Sequence, residues 1–74
     1  MGNGFRLKEC RRERGYTQEQ IAQVLGVTRV AYTHWESGRR DIPNEALIQL
    51  ADFYGCMVDE LLGSRYYYEH RGEK

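Results

Sequence analysis

The side chains best suited to bind another molecule lie on one face of a short predicted helix, residues 28–36. Tyr32 and Trp35 are its large apolar members, and both are predicted to point inward because residues three apart share a face of a helix. The outward face that remains is mostly polar and consists of Arg29, Val30, Thr33 and His34. Such a face can form hydrogen bonds and contacts with charged groups, which is the chemistry of recognition rather than of covalent catalysis.

Catalytic and metal-binding chemistry finds little support in the sequence. His34 and His70 lack the HxxxH or CxxC spacing that a zinc site with Cys10 and Cys56 would need. The adjacent carboxylates Asp59-Glu60 suit the first turn of a helix, where the helix dipole stabilises negative charge. A chain of 74 residues also has little room for an enclosed cavity. We therefore expect no enzyme and no bound metal or other cofactor.

The two cysteines leave two interpretations open, a single disulfide or two small buried apolar side chains. Each cysteine lies inside a helical pattern, and one pair is not the dense framework of a small secreted protein. The N-terminal residues 1–6 lack the apolar region of a secretory signal, and no apolar run approaches the roughly 20 residues that cross a membrane. Buried thiols in a cytoplasmic protein that does not contact membranes are the expectation.

Apolar periodicity and helix-ending residues predict an all-α fold, a compact bundle of five helices. Thr17 and Gln20 have the spacing of a capping box that begins the second helix. Pro43 keeps Ile42 out of a helix, so residues 39–42 form a loop, and Asn44 is the predicted N-cap of the fourth helix. The predicted helices cover about residues 5–14, 17–25, 28–36, 44–54 and 58–62, and a glycine follows or closely follows each of them.

The second and third helices have the spacing of a helix-turn-helix, in which the second helix of the motif can enter a major groove. Only Leu25-Gly26-Val27-Thr28 joins them, and Gly26 can supply the positive φ that a sharp turn needs. Ala22 is small where the two helices would cross. A plain helical hairpin would explain this spacing, but it would not explain the polar outward face of the third helix.

Several motifs, in matching order and spacing, resemble the phage-repressor and Cro type of helix-turn-helix domain, the xenobiotic response element family. They are Leu7-Lys8-Glu9-Cys10-Arg11, Gly15 to Ala22, Leu25 to Thr28, Trp35-Glu36-Ser37-Gly38-Arg39-Arg40, Ile42-Pro43, and Leu47 to Ala51 through Leu61-Leu62. The resemblance covers residues 5–63, with the motif at about 18–37 and the recognition helix at about 28–36. It implies a lambda-repressor-like fold that binds operator DNA, commonly as a dimer on inverted repeats. Residues 64–74 form a short polar tail that contains Tyr66-Tyr67-Tyr68.

The resemblance also implies a role for individual residues. The positions that contact base edges or the neighbouring backbone are Arg29, Val30, Thr33 and His34. The positions that contact phosphates are Gln18, Thr28, Ser37, Arg39 and Arg40. Arg11 and Glu36 match a structural ion pair of the family, although a solvated surface position for Arg11 is the alternative.

Three positions depart from the family pattern. Tyr32 is larger than the usual isoleucine or valine, and Cys10 is smaller than the usual aliphatic residue. Met57 replaces a serine, so the fifth helix lacks the hydroxyl half of a capping box with Glu60. None of the three departures removes the predicted DNA-binding face.

Charge is unevenly distributed although the formal net charge is zero. Residues 1–40 contain eight basic and four acidic side chains, whereas residues 41–63 contain five acidic side chains and no lysine or arginine. Scattered solvated charge would also give such a distribution, but a field of this shape can orient a protein on a polyanion.

These features predict a sequence-specific transcriptional regulator, a small repressor that acts on double-stranded DNA by steric exclusion at a palindromic operator. A homodimer is expected, with a contact in the C-terminal half through either Val58, Leu61 and Leu62 or the tyrosine run. The alternatives are an antitoxin-type protein and a restriction–modification controller protein, the first of which would bind a protein partner as well as DNA.

Overall fold

The computed structural model describes residues 6–63, which form five helices and no β-strand. The helices are α1 (Leu7–Glu13), α2 (Gln18–Leu25), α3 (Arg29–Ser37), α4 (Asn44–Tyr54) and α5 (Val58–Leu62). Helix α3 packs against α1 and α2, α5 packs against α1 and α4, and α2 also contacts α4. The predicted all-α, five-helix fold is confirmed. The tail at 64–74, with its tyrosine run, lies outside the described residues.

Local sequence signals begin and end α2 as predicted. The Thr17 hydroxyl accepts a hydrogen bond from the Gln20 backbone N–H at 3.1 Å, and the Gln20 side chain accepts one from the Thr17 N–H at 2.9 Å. These bonds satisfy two N–H groups that have no partner within the helix. At the other end Gly26 has a φ of +71°, a left-handed conformation that ends the helix and turns the chain toward α3.

Two helix starts differ in detail from the predictions, whereas α3 begins at Arg29 with Thr28 as its N-cap, in line with the predicted start at about residue 28. Helix α1 begins at Leu7 rather than near residue 5, with Arg6 at the N-cap. Asn44 is not the N-cap of α4. Pro43 occupies that position in an extended conformation, and its carbonyl accepts the first helical bond from Leu47 N–H at 2.9 Å.

One apolar core joins all five helices. Its buried side chains are Leu7, Cys10, Ile21, Ala22, Leu25, Tyr32, Trp35, Ile42, Leu47, Leu50, Ala51 and Leu61. Ile42 belongs to this core although it lies in the loop before α4. Leu61 is fully buried and is therefore not available to a second copy of the chain, which removes it from the predicted dimer contact. Val58 and Leu62 are partly buried against the same core.

Both cysteines are free thiols in the structure. Cys10 is buried and its Sγ lies 3.7 Å from the carbonyl oxygen of Glu60, a contact that links α1 to α5. Cys56 is partly buried against the core. Burial raises the pKa of both thiols, so they stay protonated and behave as small apolar groups.

The Tyr54 hydroxyl is buried without a hydrogen-bond partner among the described residues. The ring is well packed, with Tyr16 stacked at 6.2 Å and the Arg14 guanidinium 4.6 Å from its centroid. We expect Tyr54→Phe to leave the free energy of unfolding unchanged or to raise it by up to about 1 kcal/mol, because only the unpaired hydroxyl is lost. Urea unfolding measures this, with Tyr54→Ala as the destabilising control. A clear loss of stability in Tyr54→Phe would show that the hydroxyl has a partner.

Candidate nucleic-acid interface

The turn between α2 and α3 fixes the direction of the outward face. Gly26 makes the bend, and the Val27 N–H then donates to the carbonyl of Ala22 at 3.0 Å. The Thr28 hydroxyl accepts from the Ala31 N–H at 3.1 Å and caps α3. Ala22 is 2% exposed, so its small side chain leaves the two helices room to pack closely. The three residues between the helices, Gly26 to Thr28, therefore determine how α3 lies against α2.

The predicted base-contacting residues share one surface. Arg29 and Val30 are exposed, whereas Thr33 and His34 are half-buried. A shallow cavity of about 360 Å³ is lined by these four residues and by Gln18 from the start of α2. Tyr32 and Trp35 lie on the inner side of the same helix, with their rings 6.2 Å apart in an edge-to-face arrangement. The structure thus places all four predicted side chains beside one predicted phosphate contact.

Gln18 is held by two side chains of α3. Its Nε2 donates to Glu36 Oε1 at 3.0 Å, and its Oε1 accepts from the Thr33 hydroxyl at 3.2 Å. One of the two amide hydrogens is used within the fold, and the second remains for an external acceptor such as a phosphate oxygen. The side chain predicted to contact the DNA backbone is therefore oriented before any ligand arrives.

Arg11 and Glu36 form a paired, buried ion contact between α1 and α3. Arg11 Nε lies 2.6 Å from Glu36 Oε2 and Arg11 Nη2 lies 3.2 Å from Glu36 Oε1, while Arg11 Nη1 donates to the carbonyl of Tyr16 at 2.7 Å. The side chains of Arg11 and Glu36 are only 10% and 3% exposed. Burial raises the pKa of Glu36, but hydrogen bonds from Arg11 and Gln18 outweigh that effect and hold the pKa below its ordinary value. The carboxylate is therefore charged at neutral pH and can only accept hydrogen bonds.

The loop after α3 presents the predicted phosphate-contacting arginines. Gly38 ends α3 with a φ of +80°. The Ser37 hydroxyl donates to the His34 carbonyl at 3.2 Å and accepts from the Arg39 N–H at 3.4 Å. Arg39 and Arg40 are exposed, and neither forms a salt bridge within residues 6–63. The Ser37 hydroxyl therefore stabilises the conformation of this loop.

Lys8 is a candidate contact that the sequence-based site lacked. It lines a second cavity, of about 150 Å³, with Gln18, Thr33, Glu36 and Ser37. Its position three residues before Arg11 is the signal that could have found it, because Arg11 reaches α3 and residues three apart share a helix face. Lys8 therefore extends the basic surface from α3 onto α1.

Comparison with known proteins decides the family. A family model described as helix-turn-helix matches residues 7–61. The chain belongs to the helix-turn-helix family. Every predicted contact residue of this helix-turn-helix protein lies within the matched range.

Curated relatives of this helix-turn-helix protein are named as transcriptional regulators. The SPbeta prophage-derived regulator YonR of Bacillus subtilis is 39% identical over 59 residues, which are 80% of this chain and 55% of the relative. ImmR of the same organism is 36% identical, with 85% of this chain and 50% of the relative covered. The cryptic phage CTXphi transcriptional repressor RstR of Vibrio cholerae is 33% identical, covering 77% of this chain and 51% of the relative. The chain spans about half the length of these relatives.

A solved structure has the same fold as this helix-turn-helix protein. The P22 c2 repressor, crystallised in complex with a synthetic operator, superposes with a TM-score of 0.72 at 27% identity. The match covers 84% of this chain and 94% of that one. None of the helices among residues 6–63 has the length and apolar character needed to traverse a bilayer.

Proposed function

We propose that this protein is a sequence-specific DNA-binding transcriptional regulator, a small repressor that binds a palindromic operator as a homodimer. The observation that carries the proposal is the surface that the outward side of α3 forms with Gln18. The loop at Arg39 and Arg40 joins this surface at His34, whose carbonyl accepts a hydrogen bond from the Arg40 N–H at 3.2 Å. The relatives named as regulators, one of them a repressor, and the operator-bound P22 c2 repressor support it. A regulator of this kind acts in the cytoplasm, where it is bound to the nucleoid.

Recognition proceeds from backbone contacts to base contacts. Arg39 and Arg40, which form no salt bridge within residues 6–63, neutralise phosphates next to the end of α3, and the second amide hydrogen of Gln18 bonds a phosphate next to the start of α2. These contacts set the register of α3 in the major groove. Arg29 then reaches guanine O6 and N7, and Val30 packs against a thymine methyl group. The Thr28 hydroxyl remains the N-terminal cap of α3, and Thr28 also contacts a phosphate at the edge of the major groove.

Charge placement favours this orientation. The arginines of the proposed surface belong to the basic segment at residues 1–40, whereas all the charged residues of α4 and α5 are acidic. Glu45, Asp52 and Glu60 are exposed on those two helices. Phosphates repel that side of the molecule, so the field turns α3 toward the duplex. With no net positive charge, non-specific binding is expected to be weak and base contacts to decide which sites are occupied.

Arg29→Ala is expected to weaken specific binding by about 1–3 kcal/mol and to relax the preference at one operator position, because a bidentate base contact is lost. Arg39→Ala or Arg40→Ala is expected to weaken binding to all sequences alike and to reduce the salt slope by roughly one counterion. Selection from a random duplex pool, followed by titrations at several salt concentrations, measures both effects.

Arg6→Ala is the charge-matched control for these variants. Arg6 pairs with Glu13 at 3.2 Å and its side chain lies against Gly63, beside the end of α5. Its loss should change neither the selected sequence nor the salt slope by as much as the loss of Arg39. An unchanged sequence preference in Arg29→Ala would remove Arg29 from the base-contacting set, and failure of the wild-type chain to enrich any sequence would overturn the proposed function.

A further inference from the structure

We infer that Gln18 fixes the Thr33 hydroxyl as a hydrogen-bond acceptor toward the groove, so that Thr33 selects a base that presents an amino group, adenine through N6 or cytosine through N4. Gln18 is then a positioning residue for sequence choice as well as a backbone contact. The inference rests on the proposed function, because it assigns one base preference within the proposed DNA surface.

The direction of each hydrogen bond in the network follows from the chemistry of its members. Arg11 has donors only, and the Glu36 carboxylate has acceptors only. Glu36 Oε1, which lies 3.0 Å from Gln18, therefore requires the amide nitrogen of Gln18 to face it. The opposite amide orientation would bring two oxygens together at that distance, with no hydrogen between them. Glu36 is itself fixed by two bonds from Arg11, so the orientation of Gln18 is determined from inside the core.

The same reasoning determines the hydroxyl of Thr33. With its nitrogen toward Glu36, Gln18 presents Oε1 to Thr33, and this oxygen can only accept. The Thr33 hydroxyl has a single hydrogen, which is used in the 3.2 Å bond to Gln18. Only the lone pairs of Thr33 Oγ1 remain for the cavity of about 360 Å³ that it lines.

An acceptor at this place separates the bases in the major groove. Adenine N6 and cytosine N4 carry hydrogens, whereas guanine O6 and thymine O4 are acceptors. A threonine free to rotate could bond either kind, because its hydroxyl both donates and accepts. Held by Gln18, it is expected to favour the amino bases by about threefold to tenfold at one position, the effect of one net hydrogen bond.

The test compares sequence selection from a random duplex pool by the wild-type chain, Gln18→Met, Thr33→Val and Thr33→Ser. Gln18→Met keeps a side chain of similar length but frees the hydroxyl, so the preference for amino bases at one position should fall to nearly even. Thr33→Val should abolish the preference for amino bases, whereas Thr33→Ser, which has a hydroxyl, should show the same preference as the wild-type chain. Thermal unfolding by circular dichroism shows that each variant is folded.

A base-analogue measurement gives a second readout that does not depend on the Gln18 variant. One base of the selected duplex is replaced, at the position where the base preference differs between the wild-type chain and Thr33→Val. Purine replaces adenine, or pyrimidin-2-one replaces cytosine, and each analogue lacks the exocyclic amino group. The wild-type chain should lose about threefold to tenfold in affinity, whereas Thr33→Val should lose nothing. A uniform loss of affinity in Gln18→Met with an unchanged base preference would overturn the inference and leave the proposed function intact. If the wild-type chain selects no sequence, both are overturned.

Discussion

Glu36→Ala is expected to destabilise the fold by about 3–5 kcal/mol, because the guanidinium of Arg11 would remain buried without its counter-charge. The two side chains are 10% and 3% exposed, so little solvent is available to replace the lost partner. Arg11 would keep one bond, to the carbonyl of Tyr16. A single apolar core in a domain of fewer than about 80 residues rarely supplies more than about 3–5 kcal/mol of stability, so the variant should be close to unfolding at room temperature. Urea unfolding followed by circular dichroism measures the change.

Two further variants separate a buried charge effect from a general loss of contacts. Arg11→Met combined with Glu36→Leu removes both charges and should recover most of the stability, since no charge is stranded. Glu13→Ala breaks the exposed pair with Arg6, whose side chains are 42% and 60% exposed, and should cost less than about 1 kcal/mol. Equal losses in Glu36→Ala and Glu13→Ala would contradict the account of the buried pair.

The pH dependence of stability gives an independent check on Glu36. Its pKa in the folded state lies below the ordinary value of 4.5, so the carboxylate stabilises the fold above that pH. The contribution is lost as the pH falls below 4.5 and the group becomes protonated. The difference in free energy of unfolding between the wild-type chain and Glu36→Gln should therefore narrow in acid. A constant difference from neutral pH to pH 3 would show that the charge of Glu36 plays no part.

A palindromic duplex is expected to bind this protein about 10²–10⁴-fold more tightly than a single half-site, because two joined copies bind as one unit. The recognition helices would then lie about 34 Å apart, in successive major grooves on one side of the duplex. The contact is proposed in the C-terminal half. Three of the large apolar side chains exposed in residues 6–63 lie there, namely Ile48, Phe53 and Met57.

Ile48→Glu and Met57→Glu test that contact, because the two side chains are 61% and 70% exposed and neither supports the core. If Ile48 and Met57 form the dimer contact, each variant should bind the palindromic duplex no more tightly than a single half-site. Its affinity for the half-site should be unchanged. Five extra base pairs between half-sites should have the same effect on the wild-type chain, since half a helical turn separates the two faces. Sedimentation at micromolar protein, with and without truncation after Gly63, tests the tyrosine run as the alternative contact. A monomer that binds half-site and palindrome equally well would contradict the dimer.

The sequence determined the features that depend on neighbouring residues. The capping box at Thr17 and Gln20, the turn at Gly26 and the inward position of Tyr32 and Trp35 were all predictable. Each involves groups within four or five positions of one another, and backbone geometry alone sets their distances. The helix-turn-helix assignment follows from the order of these local features. The prediction that Asn44 is the N-cap of α4 is wrong. Asn44 and Pro43 both suit the start of a helix, and their local chemistry does not indicate which of the two takes the N-cap position.

Only the tertiary structure decided which side chains meet across helices. The bonds of Gln18 to Thr33 and Glu36 join residues 15 and 18 positions apart, and they depend on how closely α2 and α3 pack. Lys8 lines a cavity with Gln18 and Thr33 because of the way α1 packs against α3. Residue spacing within α1 indicates which face of the helix Lys8 is on, but it does not indicate where α3 lies. Burial of Leu61 likewise results from the packing of α5 against α1 and α4. Periodicity tells which face of a helix is apolar, but the separation and angle between two helices arise from the side chains of both together.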